Sequence, residues 1–318
     1  MDDSEIFKEY GYSLEELIES DEWGELYRAR YLPHDRAVLF RAFPPGITRE
    51  AGAWELLLAE IQAWARLDHP GVLQVLDWGE SPGGHYLSTV MPGGEPLGAL
   101  LSEECGVAGA DEIFTNLLVS VESARQWGVL HLGLGPTNIW VSRDNAVEVG
   151  EFGFWYVTRE FQRLEIPGIF PAPEQVSGER AGAATDVYAL GLIYVALRFG
   201  LGSAREAARG APLPEELGDL QPVIAQSLER HPLARHRSAR ELAGALGLQT
   251  EEWLHEEYRD CPLCRLKEEI QRDTGARAWS VPYASETSPR ETPWVRYAWI
   301  VIILLAVATT LVWWLALR

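Results

Sequence analysis

The chain has 318 residues, of which 47% are hydrophobic, so it can bury one large core or two smaller ones. Its formal net charge of −20 argues against a nucleic-acid partner, because a phosphate backbone would be repelled and no basic patch offsets this. Three cysteines do not make a disulfide framework, and the acidic N-terminus lacks the apolar segment of a secretory signal, so we expect a reducing compartment.

The pattern of the first third of the chain predicts several strands and one helix. Residues 10–45 have the pattern of short strands, and residues 50–67 place apolar side chains at helical spacing. Residues 71–80 and 84–91 then alternate like a strand pair. We therefore expect a small β-rich unit that contains one helix.

Helical patterns dominate the next part of the chain. They cover residues 97–106 and 111–128, and after a loop and a short hairpin they continue to about Leu248. Strands followed by helices indicate an α+β domain with two lobes. We place this domain at residues 10–248, after an N-terminal tail at residues 1–9.

An uncharged stretch near the C-terminus predicts a transmembrane helix. Residues 298–317 carry no charged side chain, and at about 1.5 Å per residue they match a hydrocarbon layer of about 30 Å. Tryptophans near both ends suit the two membrane interfaces. Apolar character on every face favours a membrane span over a buried core helix. Without a secretory signal, we expect a single-pass membrane protein whose larger N-terminal part is cytoplasmic.

An acidic juxtamembrane linker over residues 249–297 joins the two regions and contains a lone C-x-x-C, Cys261 and Cys264. Structural zinc takes four ligands. A metal site would therefore need His255 and a further ligand, or a second chain. Two free thiols are the simpler interpretation, and we favour it.

Several motifs stand in order along residues 10–248. They include a glutamate nine residues before the histidine of "DHP", then "HLGLGPTN", "EFG", "PAPE", "TDVYALG" and "HPLARHR". Together they resemble the protein kinase family, in particular bacterial serine/threonine kinases with a membrane segment after the kinase domain. The resemblance implies a small β-rich lobe with one helix, a larger helical lobe, and a buried Glu174–Arg235 ion pair. The positions that match motifs of the fold are His131, Phe152, Gly153, Glu174, Asp186 and Arg235.

The resemblance also implies a nucleotide pocket, but its phosphate-binding parts depart from the family pattern. In the run "ESDEWG" only the third glycine remains, and Glu19 and Asp21 take the other two glycine positions. Carboxylates facing a triphosphate would repel it, and their side chains hinder close backbone approach. Arginine replaces the phosphate-binding lysine, and no lysine occurs between residues 9 and 266. The pocket equivalents are Gly24, Leu26, Leu39, Arg41, Glu60, Asn138 and Glu151.

The catalytic positions are altered as well. Gly133 stands where the family has its catalytic aspartate, and Gly135 stands where it has a lysine that contacts the γ-phosphate. Leu132 replaces the neighbouring arginine, and Glu151 replaces the main magnesium aspartate. A positioned general base contributes about 10²–10⁴ in rate, so its loss alone is severe.

Two functions follow from this pattern. The first is a membrane-anchored pseudokinase that requires no cofactor and acts on a protein partner as a scaffold or allosteric element. The alternative is an atypical serine/threonine kinase that uses ATP and magnesium through Arg41, Glu60, Asn138 and Glu151. In the first case a stack of Trp64, Phe152 and His131 would align the lobes without nucleotide. Phosphorylation of Thr158 is a further, less favoured interpretation.

Overall fold

The computed structural model describes most of residues 7–248. The chain divides into two units, Met1–Gly275 and Ala276–Arg318, and the described residues all belong to the first. Within them, no helix combines the length and the apolar character needed to cross a bilayer. The predicted linker, the predicted membrane helix, Cys261, Cys264 and Thr158 lie outside the described residues. The described ranges are 7–21, 23–44, 52–82, 84–155 and 170–248.

The small lobe is a five-stranded antiparallel sheet with one helix, as the sequence predicts. The strand order is β1-β2-β3-β5-β4. Helix α1 starts after Gly52, which has the left-handed φ of 88°, and four of its apolar side chains are buried. The elements are β1 Tyr12–Asp21, β2 Gly24–Tyr31, β3 Arg36–Ala42, α1 Ala53–Trp64, β4 Val75–Ser81 and β5 Gly84–Val90.

Alternation along β3 decides which of its side chains reach the cleft. Val38 and Phe40 join an aromatic cluster on the outer face of the sheet, whereas Leu39 belongs to the main core and lines the cleft with Arg41. This follows from the two-residue period of a strand. Because Val38 and Phe40 pack on the other face of the sheet, the guanidinium of Arg41 lies buried in the cleft.

The outer aromatic cluster extends into the predicted N-terminal tail. Phe7, in the short 3-10 helix Phe7–Tyr10, is buried, and its ring lies 4.8 Å from that of Phe40 and 6.1 Å from that of Tyr86. Ring pairs at these distances stabilise a core beyond their buried area. The packed core of the small lobe thus includes Phe7, which lies within the predicted N-terminal tail.

The larger lobe is mostly helical and is built around the helix Ala183–Phe199, α5. Residues 185–197 of this helix are all buried, so it forms the centre of the lobe. A three-stranded sheet, in the order β6-β7-β8, borders the cleft. The strands are β6 Glu95–Pro96, β7 Ile139–Val141 and β8 Val147–Val149, and the helices are α2 Leu97–Leu100, α3 Ala110–Gln126, α4 Pro173–Ser177, α5 Ala183–Phe199, α6 Leu201–Ala208, α7 Gln221–Ser227 and α8 Ala239–Ala245.

One predicted helix is much shorter than expected. The pattern over residues 97–106 predicts a helix of that length, but α2 ends at Leu100 and Leu101 is extended. The hydroxyl of Ser102 accepts a hydrogen bond from the Cys105 amide at 2.9 Å and donates one to the Cys105 carbonyl at 3.0 Å. Local bonds of this kind compete with a helix. The prediction was wrong because the spacing of apolar residues carries no information about these local hydrogen bonds.

The ion pair that the sequence predicts between Glu174 and Arg235 is present and buried. Two parallel bonds of 2.8 and 2.7 Å join the groups, whose side chains are 1% and 0% exposed. Thr185 donates a third bond to Glu174 at 2.7 Å, and the guanidinium lies over the Tyr188 ring at 4.9 Å. Burial alone would raise the pKa of Glu174, but the bonds from Arg235 and Thr185 lower it. The pair fastens α4 to the segment before α8.

Candidate functional site

Arg41 lies at the centre of the cleft and is bound on both sides by carboxylates. It is 3% exposed. One terminal nitrogen donates to Asp21 at 2.9 Å and the other donates to Glu151 at 2.5 Å. Each terminal nitrogen thus gives one of its two N–H donors to a carboxylate of the same chain, and the guanidinium charge is balanced within the protein. The two ion pairs connect β1, β3 and the segment after β8.

Asp21 reaches Arg41 because the end of β1 pairs with the start of β2 in a hairpin. Asp21 pairs with Gly24 at the end of the β1–β2 register, and the Asp21 carboxylate also accepts the Trp23 amide at 2.7 Å. Gly24 has φ 107°, and a Cβ there would lie 2.0 Å from the Ala42 carbonyl oxygen. Only glycine allows this approach. The hairpin therefore lies against β3 and places a carboxylate beside the buried arginine.

The cleft contains more acid than Arg41 can balance. Burial raises the pKa of Glu151, and Arg41 opposes the shift without cancelling it. Burial raises the pKa of Glu19, Arg41 opposes this shift, and the charges of Glu151 and Asp21 add to it. Burial would lower the pKa of Arg41, but the three carboxylates raise it. Arg41 thus stays charged, whereas the folded state disfavours the ionised forms of Glu19 and Glu151.

Replacing Glu19 with glutamine is expected to stabilise the protein at about pH 7.5. The folded-state pKa of Glu19 lies above its unfolded value of 4.5, so the native state holds the proton more tightly and loses stability as pH rises. The melting temperature of Glu19→Gln should exceed that of the wild type, and the gain should shrink as pH falls, because the Glu19 carboxyl takes up its proton. Glu16→Gln, on the exposed side of the same strand, is the matched control. A gain that does not depend on pH would contradict the account.

The space left beside Arg41 is small and largely apolar. Its volume is about 30 Å³, which is room for roughly two water molecules. Sites for drug-sized ligands occupy about 300–1,000 Å³. Two indole rings, of Trp64 and Trp140, narrow it. The remaining lining residues are Leu26, Leu39, Arg41, Leu73, Leu87, Thr89, Thr137, Asn138, Gly150 and Glu151.

Two backbone donors of the chain that leaves β5 bind acceptors within the protein. The Val90 amide donates to the Gln74 carbonyl at 2.9 Å, and Pro92 has no N–H. The Gly93 amide donates to the Glu148 carboxylate at 2.7 Å. At these three positions the linker between the lobes has no spare donor for a planar polar ligand.

Asn138 closes the loop "HLGLGPTN" on itself. Its side-chain oxygen accepts the Gly135 amide at 3.0 Å, and its side-chain nitrogen donates to the Gly133 carbonyl at 2.8 Å. Its backbone carbonyl accepts the Gly150 amide at 3.0 Å. The amide group that the resemblance assigns to a metal is therefore committed to loop structure.

Two buried side chains, of His131 and Asp186, also fix this loop through hydrogen bonds. The Asp186 carboxylate accepts the amides of His131 at 3.1 Å and Leu132 at 2.7 Å. Burial raises the pKa of Asp186 to about 7, against the effect of these two bonds. Burial lowers the pKa of His131 to about 4, so its ring is neutral. Since Nε2 lies 2.8 Å from the Gly150 carbonyl, the proton is assigned to Nε2.

The position of the missing catalytic base is covered by an apolar cluster. Leu132, Trp155 and Ala181 pack together, and a Cβ on Gly133 would lie 3.7 Å from Cβ of Trp155. Leu132 has the left-handed φ of 60°, which is uncommon for its type. Its carbonyl accepts a bond of 2.6 Å from the Gln175 side chain. Where the family has an acid and an arginine, this chain has a small hydrophobic core.

The predicted aromatic stack is present. The Phe152 ring lies 4.7 Å from the His131 ring and 6.1 Å from the Trp64 ring, and the Trp64 indole N–H donates to the Leu73 carbonyl at 2.8 Å. All three side chains are buried. The two lobes are thus joined by a continuous column of rings.

Glu60 lies beside this column and packs against the backbone of Gly153. A Cβ on Gly153 would come within 2.5 Å of a Glu60 carboxylate oxygen, and Gly153 has φ 78°. The ion pairs shown for Arg41 are those to Asp21 and Glu151. The structure therefore brings five pocket equivalents around one space, with Gly24 at the hairpin and Glu60 at the column.

Comparison with known proteins identifies the family. The model of the protein kinase domain matches residues 24–209, which is more than half of the chain. The serine/threonine-protein kinase PknB of Mycolicibacterium smegmatis is 26% identical over 263 residues, covering 74% of this chain and 42% of that protein. The serine/threonine-protein kinase pkn3 of Myxococcus xanthus is 28% identical over 208 residues, covering 60% of this chain and 38% of that protein.

A solved structure shows the same fold. The kinase domain of Mycobacterium tuberculosis PknI superposes with a TM-score of 0.58 at 22% identity, covering 74% of this chain and 95% of that one. This likeness concerns the fold. The chain spans about two fifths of the length of the curated relatives named above. From the matched family model, the ordered motifs and the two-lobed architecture, we conclude that the chain belongs to the protein kinase domain family.

Proposed function

We propose that this kinase domain has given up phosphotransfer and acts as a membrane-anchored scaffold or allosteric partner of another protein. The observation that carries the proposal is the state of Arg41. Both of its terminal nitrogens bind carboxylates of the same chain, one from the hairpin and one from the position of the magnesium ligand. A triphosphate would have to displace one of these carboxylates and then face the other.

The residues present do not fit a magnesium–nucleotide complex. The cation that would meet the phosphates is neutralised, the Asn138 amide is bonded to Gly133 and Gly135, and the base position is a glycine under Trp155. Each of these features weakens a different part of phosphoryl transfer, which depends on positioning and on electrostatic stabilisation. Such losses are not additive, but all of them act in the same direction.

The features that the chain keeps are those that build a stable surface. The column of Trp64, Phe152 and His131 and the Glu174–Arg235 pair require no nucleotide. A rigid domain tethered by the predicted span at residues 298–317 would present a constant face to a protein partner at a membrane. The net charge of −20 disfavours nucleic acid as that partner.

An atypical serine/threonine kinase is the second candidate, and the similarity to known kinases supports it. The relatives named above are serine/threonine-protein kinases that match 60–74% of this chain. In this case Asp21 would leave Arg41, and Glu151 and Asn138 would turn toward a cation. The alternative therefore predicts a structural change on adding ATP and magnesium.

Thermal unfolding of the full chain with and without nucleotide separates the two candidates. A ligand present at 100 times its dissociation constant stabilises by about 2.7 kcal/mol, which would raise the melting temperature of a domain this size by roughly 5–10 °C. We expect ATP with magnesium or manganese to shift it by less than about 1 °C. A saturable, metal-dependent rise would favour the nucleotide-binding alternative.

A further inference from the structure

Trp23, which precedes the first residue of β2, is buried, although residues between strands usually lie on the protein surface. Trp23 is only 4% exposed, and its ring lies 5.0 Å from that of Phe154. Phe154 belongs to the segment after β8, and its ring also contacts those of Phe43 at 6.0 Å and Trp64 at 6.3 Å. An aromatic contact thus ties the hairpin to a segment of the larger lobe.

A second, ionic contact leads from the same turn to the same segment. One Asp21 oxygen accepts both the Trp23 amide at 2.7 Å and Arg41 at 2.9 Å, and Arg41 continues to Glu151. Glu151 precedes Phe154 by only three residues. The aromatic and the ionic contact therefore start from one turn and end on one short segment.

The backbone of the hairpin is fitted to this arrangement. At Gly24 the chain passes so close to the end of β3 that a Cβ would lie 2.0 Å from the Ala42 carbonyl oxygen and 2.8 Å from Cδ of Pro44. Lifting the hairpin would expose Trp23 and leave Arg41 with one partner fewer. Both changes carry a free-energy cost, from apolar surface and from a buried charge.

We propose that residues 19–21 and 23–26 form a lid that is closed over the cleft without any ligand. We call these residues the hairpin lid. The aromatic and ionic contacts hold it together, so nucleotide cannot enter unless both are broken. The functional meaning of a closed lid rests on the proposed function, because a scaffold benefits from one fixed arrangement of its lobes. The closure itself is measurable without nucleotide.

Amide hydrogen exchange of the full chain, followed by mass spectrometry, tests the hairpin lid. In the wild type without nucleotide, lid amides should exchange far more slowly than those of an exposed turn, because opening requires loss of both contacts. Trp23→Ala should speed lid exchange by about tenfold or more while amides in the centre of α5 stay protected. Trp127→Ala is the matched control, since this tryptophan is 65% exposed and far from the turn in sequence.

Each outcome decides the matter. The lid is supported if exchange of its amides is slow in the wild type, faster in Trp23→Ala and unchanged in Trp127→Ala. Fast lid exchange in the wild type overturns it, whether or not the variants fold. If Trp23→Ala unfolds globally, Trp23→Phe, which keeps a ring, should fold and retain protection, and loss of protection there contradicts the proposal. None of these readouts involves ATP, so an open lid on a chain without phosphotransfer would refute the lid and leave the proposed function standing.

Discussion

Replacing Arg235 with methionine is expected to lower the free energy of unfolding by about 3–5 kcal/mol, because Glu174 is left as an unpaired buried charge. At roughly 2–4 °C per kcal/mol, the melting temperature should fall by about 6–20 °C. The pair is fully buried and Arg235 makes three further bonds, to the carbonyls of Glu229, Ala184 and Arg230. Thermal or denaturant unfolding of the full chain measures the loss.

Arg205→Met is the matched control for this experiment. Arg205 also pairs with a carboxylate, that of Glu103, but the two side chains are 50% and 61% exposed, so the expected effect is below about 1 kcal/mol. The Glu174 pKa is lowered in the folded state, so the stability that the buried pair contributes is complete above the unfolded value of 4.5 and is lost as pH falls through the lowered pKa. Equal stability of the two methionine variants would contradict this interpretation.

Replacing Arg41 with methionine is the second large expected effect. The change leaves Asp21 and Glu151 facing each other in the cleft without a cation, with Glu19 close by. We expect a loss of about 3–5 kcal/mol near neutral pH. Because burial already raises the pKa of Glu151, the carboxylates take up protons on acidification, and the loss should diminish toward pH 4.5. Melting temperatures across this pH range measure it.

Arg36→Met serves as the control because Arg36 lies on the same strand at its exposed end. It should change stability by less than about 0.5 kcal/mol. Arg41→Lys should fall between the wild type and Arg41→Met, since one ammonium keeps the charge but cannot reproduce the fork that spans two carboxylates. If Arg41→Met is as stable as Arg36→Met, the ion pairs do not hold the cleft together.

The sequence was sufficient to predict the two-lobed fold, since motif order and strand alternation both follow from local spacing. The same holds for the Glu174–Arg235 pair and the column of Trp64, Phe152 and His131, which the resemblance to kinases implies. In these cases the residue type and its place in a motif leave one arrangement that satisfies burial and hydrogen bonding.

The interior of the cleft could not be predicted in the same way. Whether Asp21 points to solvent or to Arg41 depends on the register at Gly24, which is set by its approach to β3. Trp140 and Trp155 are two of 13 tryptophans in the sequence. Their positions beside the pocket and over Gly133 depend on segments that meet only in the folded chain. Two signals for a filled pocket were available in the sequence, namely Leu39 and the bulky residue two positions after Asn138.

The most direct test of the account is phosphotransfer by the purified full chain. The protein is incubated with labelled ATP and magnesium or manganese, alone and with a generic protein substrate, beside an active serine/threonine kinase as positive control. We predict no label above background in the chain or the substrate, for the wild type and for Glu151→Gln alike. Incorporation by the wild type that disappears in Glu151→Gln, but persists in the exposed control Glu16→Gln, would contradict the central claim.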